Sequence, residues 1–134
     1  MITTIYLAGP IQGCDDLECK VWRSQVKKLW DGVCLDPMRR NYPDSTLSDK
    51  ECEEVIKTDL EDIRQSDALV ANITRISVGT SMEVMFAAMQ KKPVFLIYTG
   101  QIPSLSPWLR HHATEIFATV GDCIAWLEHL NRPR

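Results

Sequence analysis

Two carboxylates, Glu83 and Asp59, hold positions from which they could do chemistry. Glu83 closes the segment Ser77-Val78-Gly79-Thr80-Ser81-Met82-Glu83, which follows the apolar run Ala68-Leu69-Val70-Ala71 and the polar Asn72. An apolar run ending in a polar residue, then a glycine turn, reads as strand, loop and helix. That places Glu83 in the first helical turn, outside the carboxyl end of a strand, where open α/β sheets bind ligands. Asp59 shares the i, i+3, i+4, i+7 stripe of Ile56, Asp59, Leu60 and Ile63, with Glu61 and Asp62 expected to face away. A carboxylate on a buried stripe is costly unless partnered, so Asp59 either anchors a hydrogen-bond network or enters a site.

Each feature has a structural reading beside a chemical one. Thr80 and Glu83 have capping-box spacing, with Glu83 reaching back to the helix start. Alternatively Glu83 stays ionised, favoured by the helix dipole by about 0.3–1 kcal/mol, and attacks an electrophilic sugar carbon. Spacing does not separate the two. Beside a second carboxylate the pKa of Asp59 would rise, suiting it to protonate a leaving group. Ser77 and Gly79 could donate hydrogen bonds to an anion at the helix N-terminus. Gly9 and Gly13 bracket a loop after the first strand, but Gly-Pro-Ile-Gln-Gly is neither a dinucleotide fingerprint nor a P-loop. His111-His112 do not share a helix face and read as surface, and Met82, Met85, Phe86 and Met89 read as core.

The elements that must position these groups alternate. Strands are expected at Ile2–Ala8, Val33–Leu35, Leu69–Ala71, Pro93–Tyr98 and Ile116–Ala118. Helices are expected at about 15–31 (with Val21, Leu29 and Trp30 on the pattern), 50–65, 80–91, 105–113 and 120–130. Residues 38–49 form a long polar loop of the kind that is often functional. Such alternation predicts a parallel sheet covered by helices on both faces.

Composition narrows the class. The 134 residues suit one domain, and 45% apolar with 25% charged residues is ordinary globular usage. A net charge of −3 argues against a nucleic-acid polymer as partner, with Met38-Arg39-Arg40-Asn41-Tyr42 too short to make a basic patch. Five cysteines without a CxxC pair suggest reduced thiols in a cytoplasmic protein rather than zinc or a disulfide framework. Neither a signal peptide nor a membrane span is expected.

Taken in order, Ile5-Tyr6-Leu7-Ala8-Gly9-Pro10, Asp36-Pro37, Asp59-Leu60, Ser66-Asp67-Ala68-Leu69-Val70-Ala71-Asn72 and Gly79-Thr80-Ser81-Met82-Glu83 resemble the nucleoside 2-deoxyribosyltransferase family, with its related nucleoside 5′-monophosphate N-glycosidases. The likeness runs from about residue 2 to 99, and weakly through Leu105 to Arg110. It implies a flavodoxin-like, five-stranded parallel sheet of order 2-1-3-4-5. On the same footing Glu83 matches the nucleophile that attacks the anomeric carbon, Asp59 the aspartate that assists base departure, and Tyr6 a tyrosine beside the nucleophile. Ser77 stands where the transferases usually carry a carboxylate for the free 5′-hydroxyl and the hydrolases a phosphate-binding serine. A carboxylate would repel a phosphate, whereas a hydroxyl and backbone N–H groups can donate to it. Two departures are visible: residues 11 to 16 contain no arginine for the phosphate, so that Lys20, Arg39 or Arg40 would substitute, and no serine near Ala113 to Phe117 matches the one a neighbouring subunit donates.

The resulting expectation is a nucleoside 5′-monophosphate glycosidase that releases free base through a glycosyl-Glu83 intermediate. Gly9, Ile11, Gly13, Ser77 and Gly79 would hold the phosphate, while Asp36 and the loop from Met38 to Tyr42, Arg39 included, would wall the base. No metal or organic cofactor and no membrane partner is expected; a homodimer or larger homo-oligomer is. The alternatives are a deoxyribosyltransferase exchanging bases, and a nucleotide sensor without turnover.

Overall fold

The structure, a computed structural model, describes residues 1–40 and 47–133. Five strands alternate with helices: β1 (Thr4–Ala8), α1 (Asp16–Leu29), β2 (Val33–Leu35), α2 (Asp49–Gln65), β3 (Ala68–Asn72), α3 (Val78–Met89), β4 (Val94–Ile97), α4 (Pro107–His112), β5 (Glu115–Phe117) and α5 (Val120–Asn131). The strands form one parallel sheet of order β2-β1-β3-β4-β5. This is the expected architecture. Its switch point lies between β1 and β3, whose register pairs Ile5 with Ala68 and Ala8 with Ala71. No helix among the described residues is long and apolar enough to cross a membrane.

Strand parity decides what each face carries, because successive side chains point to opposite sides. Ile5, Leu7, Ala68, Val70, Phe95 and Ile97 pack against α1 and α5 through Trp22, Val26, Trp30, Cys123, Ile124 and Leu127. Tyr6, Ala8, Leu69, Ala71, Val94 and Leu96 pack on the other side, with Ile63 of α2 and Val84 and Ala87 of α3. Tyr6 therefore shares its side of the sheet with the helices that carry Asp59 and Glu83. Burial of large aliphatic chains on both faces, at about 1.5–3 kcal/mol each, fixes that parity, since a one-residue slip would exchange the faces.

Several expected helix faces are rotated. In α1 the inward stripe is Cys19, Trp22, Arg23 and Val26, leaving Val21 and Leu29 exposed. In α2 Ile63 is buried as expected, but Ile56 is exposed and Asp62 faces inward. Burial of Asp62 is tolerated because two arginines neutralise it. In α3 the small residues Thr80, Val84 and Ala87 turn to the protein and let the helix approach closely. Met82, Met85 and Met89, expected in the core, are consequently exposed at 68%, 37% and 69%, while Phe86 is partly buried.

Candidate active site

Helix α3 starts earlier than its capping-box spacing implies. Ser77 is the N-cap and its hydroxyl accepts from the Thr80 backbone N–H at 3.3 Å, with the Thr80 hydroxyl 2.8 Å away. Thr80 is thus the third helical residue and Glu83 the sixth. Glu83 sits in the second turn, not the first, and its side chain turns inward instead of back to the helix start. Among the described residues a capping box does occur in α2, where Ser48 and Glu51 bond reciprocally.

The Glu83 carboxyl group receives the Tyr6 phenol as a hydrogen-bond donor. Although part of the residue reaches solvent, the carboxyl itself lies deep among protein atoms, and burial pushes its pKa up to about 7. The Tyr6 hydrogen bond opposes this, the negative charge of Asp59 adds to it, and the Arg23 guanidinium counteracts it. Glu83 was expected to remain ionised through the helix dipole. In the second turn of the helix the dipole is weaker than at its start, and desolvation wins.

Asp59 approaches Glu83 from α2 and makes an ion pair with Arg40, Nη1 to Oδ1 2.9 Å. Arg40 also bonds Asp62, which receives Arg39 Nη2 at 2.8 Å. Arg39, placed on the base wall by the sequence, further donates to the Asp36 carbonyl at 2.9 Å. Asp36 is buried with both carboxylate oxygens engaged. Oδ1 accepts from the Met38 N–H at 2.8 Å and lies 3.2 Å from Arg23 Nε; Oδ2 accepts from Lys27 Nζ at 2.6 Å. Its carboxylate thus fixes the chain entering the loop. Of that loop, Asn41 and Tyr42 lie outside the described residues.

Below the first loop lies Arg23, 1% exposed, an arginine the sequence reading passed over. It donates to the carbonyls of Cys19 (2.7 Å) and Gly9 (3.4 Å) and stacks on Trp22. The signal was available: Arg23 occupies the apolar stripe of α1 as Asp59 does that of α2. Gly9 is obligatory for contact, since a Cβ there would stand 2.8 Å from the Trp22 ring. Gly13 is obligatory for conformation, at φ +74°, in a turn closed by Cys14 N–H to the Ile11 carbonyl. Above Gly79 there is open space where a side chain would be.

The two loops that leave β1 and β3 are joined by Arg75. Its Nε bonds Glu18 at 2.9 Å and its Nη2 the Gly13 carbonyl at 3.4 Å. Lys20 pairs with Asp16 at 3.3 Å. Structure thus gathers Tyr6, Asp59 and Glu83 on one side of the sheet, with Gly9, Gly13, Ser77 and Gly79 along the strand ends. Arg39 and Asp36 form the flank. His111 is exposed, and His112 lies 2.6 Å from the Trp108 carbonyl. No set of three His, Cys, Asp or Glu among the described residues is arranged to hold a metal ion.

A comparison with protein families matches residues 5–118 to the nucleoside 2-deoxyribosyltransferase model. Among solved structures, a 2-deoxyribosyltransferase of Bacillus psychrosaccharolyticus is 25% identical, with TM-score 0.74 over 90% of this chain and 89% of that one. A conserved protein of Enterococcus faecalis V583 is 17% identical (TM-score 0.71; 97% and 99% covered). A CMP N-glycosidase of Clostridium botulinum is 14% identical (TM-score 0.58; 96% and 99% covered) and shares the fold. No curated protein sequence matches the chain.

Proposed function

The chain belongs to the nucleoside 2-deoxyribosyltransferase family, whose chemistry is transfer or cleavage at the N-glycosidic bond, and from that premise we propose that it hydrolyses a nucleoside 5′-monophosphate. The products are free base and (deoxy)ribose 5-phosphate. The observation that carries the reading is the buried Glu83 carboxyl, bonded by Tyr6 and faced by Asp59.

In its ionised form Glu83 attacks the anomeric carbon, forming a C–O bond as the C–N bond breaks and its electron pair leaves with the base. Tyr6 and Arg23 favour the carboxylate that this step needs. Asp59, steadied by Arg40, orients the base or supplies its proton at departure. Water then attacks the same carbon, the C–O bond to Glu83 breaks to free its carboxylate, and the water's proton passes to Asp59 or to the departed base. The residues involved require no cofactor for these steps. At the sugar's other end, the Ser77 hydroxyl and the open backbone above Gly79 suit an anion better than a carboxylate at residue 77 would.

We propose further that the chain acts as a homodimer. Val78, Met82, Met85 and Met89 fall at i, i+4, i+7 and i+11 on α3, an exposed apolar stripe beside Trp108. Between α3 and α4 it borders an apolar groove of about 330 Å³. An exposed apolar face of this kind is characteristic of association.

Chromatography of reactions with ribo- and deoxyribonucleoside 5′-monophosphates and the matching nucleosides tests the reading. Base released from monophosphates alone, and lost in Glu83→Gln, is the expected result. The second reading, base exchange between deoxynucleosides, is favoured by the likeness to the Bacillus transferase. Exchange between unphosphorylated substrates would establish it.

A further inference from the structure

We infer that Arg75 is the residue by which this site distinguishes a phosphorylated sugar from an unphosphorylated one, and that Glu18 holds its place while the site is empty. The inference rests on the nucleotide reading above and assigns it a specificity residue.

Position is the first argument. Arg75 stands two residues before the Ser77 cap of α3, and its side chain crosses to Glu18 in the first turn of α1. Nε lies 2.9 and 3.0 Å from the two carboxylate oxygens of Glu18, and Nη2 2.8 Å from Oε2 and 3.4 Å from the Gly13 carbonyl. The guanidinium therefore spans the two loops that leave neighbouring strands β1 and β3, at the edge where Gly13 and Gly79 present open backbone. Other cations around the crevice face different partners, and none of them reaches across both loops. Arg23 is buried on Asp36, Arg39 and Arg40 bond Asp59 and Asp62, and Lys20 pairs with Asp16.

Chemistry is the second argument. The planar fork of arginine that grips a carboxylate grips a phosphate with the same geometry. A phosphomonoester carries about −1.5 to −2 charges against −1 for Glu18. Arg75 is 46% exposed, so a ligand reaches the guanidinium from solvent and, carrying the higher charge, competes with Glu18 for it. The carboxylate left behind would oppose that ligand, which gives Glu18 and Arg75 opposite effects on binding.

Titration calorimetry with ribose 5-phosphate and with ribose, on the wild type, Arg75→Gln and Glu18→Gln, tests this. Wild type should prefer the phosphate. Arg75→Gln should weaken ribose 5-phosphate at least tenfold and leave ribose unchanged, while Glu18→Gln should bind the phosphate as well as wild type or better. Equal losses in both variants would make the pair a loop clasp and overturn the inference. Undiminished binding by Arg75→Gln would overturn it and leave the nucleotide reading standing. A wild type that does not prefer ribose 5-phosphate over ribose would remove that reading and the inference with it.

Discussion

Tyr6 and Glu83, 77 residues apart, are joined by a hydrogen bond from phenol to carboxyl that links the centre of the sheet to α3. The bond favours the charged form of a group whose burial favours the neutral one. That opposition sets the pH at which the proposed nucleophile is available.

With Glu83 at about 7, the rate of base release should rise with pH through neutrality, following its ionisation. Removing the phenol hydroxyl withdraws a hydrogen bond to a charged group, worth roughly 1.5–3 kcal/mol. In Tyr6→Phe the acid limb should therefore move upward by about one pH unit or more. Steady-state kcat/KM from pH 5 to 9 measures it. An unmoved limb with a merely scaled rate would mean that Tyr6 does not tune Glu83.

The same group predicts how stability depends on pH. A carboxyl whose folded pKa is raised from 4.5 to about 7 binds more protons folded than unfolded between those values. Its contribution is fully present below about pH 4.5 and is lost as pH rises through 7. The span corresponds to roughly 3 kcal/mol at most, at about 1.4 kcal/mol per pH unit. Urea unfolding at pH 5 and pH 8 should show a fall in the wild type that Glu83→Gln lacks. Parallel curves for the two proteins would contradict the buried, protonated Glu83.

Asp59 acts in this reading on the leaving base, not on the sugar. Asp59→Asn should lower base release by about 10²–10⁴, the usual scale of acid–base assistance. The deficit should shrink for a monophosphate whose base leaves readily without help. Arg40→Gln, which removes the ion pair to Asp59, should give a smaller deficit of the same pattern. Measuring kcat for a slow and a fast leaving base in each variant separates departure from attack. A deficit independent of the base would place Asp59 elsewhere in the reaction.

Much of this architecture was legible because strand and helix periods are strong signals. Strands β1 and β3 are apolar on both faces, and the Gly9-Pro10 and Ser77-to-Gly79 turns mark where the chain leaves the sheet. What escaped was rotation about helix axes. Met82, Met85 and Met89 have the same periodicity whether they meet a core or stand open, and only the small Thr80, Val84 and Ala87 reveal the packed face. Pairings between distant residues escaped as well. Asp62 looked solvent-facing because the arginines that neutralise it arrive from the loop after β2. Asp67, part of the recognised Ser66-Asp67 motif, is structural, its Oδ2 accepting from Thr3 and Thr4 at 2.9–3.0 Å.

The stripe on α3 makes the final prediction. Val78, Met82, Met85 and Met89 would lie against the same face of a second copy, an arrangement that a two-fold axis allows with one self-complementary patch. Met85→Lys combined with Met89→Lys places charges in the middle of that patch and touches none of the site residues. Sedimentation velocity should show the wild type as a dimer and the double variant as a monomer that still unfolds cooperatively, because both side chains are exposed in the single chain. The groove is lined by Ser81, Met82, Val84 and Met85 of α3, the helix that also carries Glu83, so a partner seated there would pack on the helix that holds the proposed nucleophile. The monomeric variant should then lose activity per subunit and regain none at high substrate. A wild type that sediments as a monomer at every concentration would remove the dimer from the proposal and leave the chemistry at Glu83 to be judged alone.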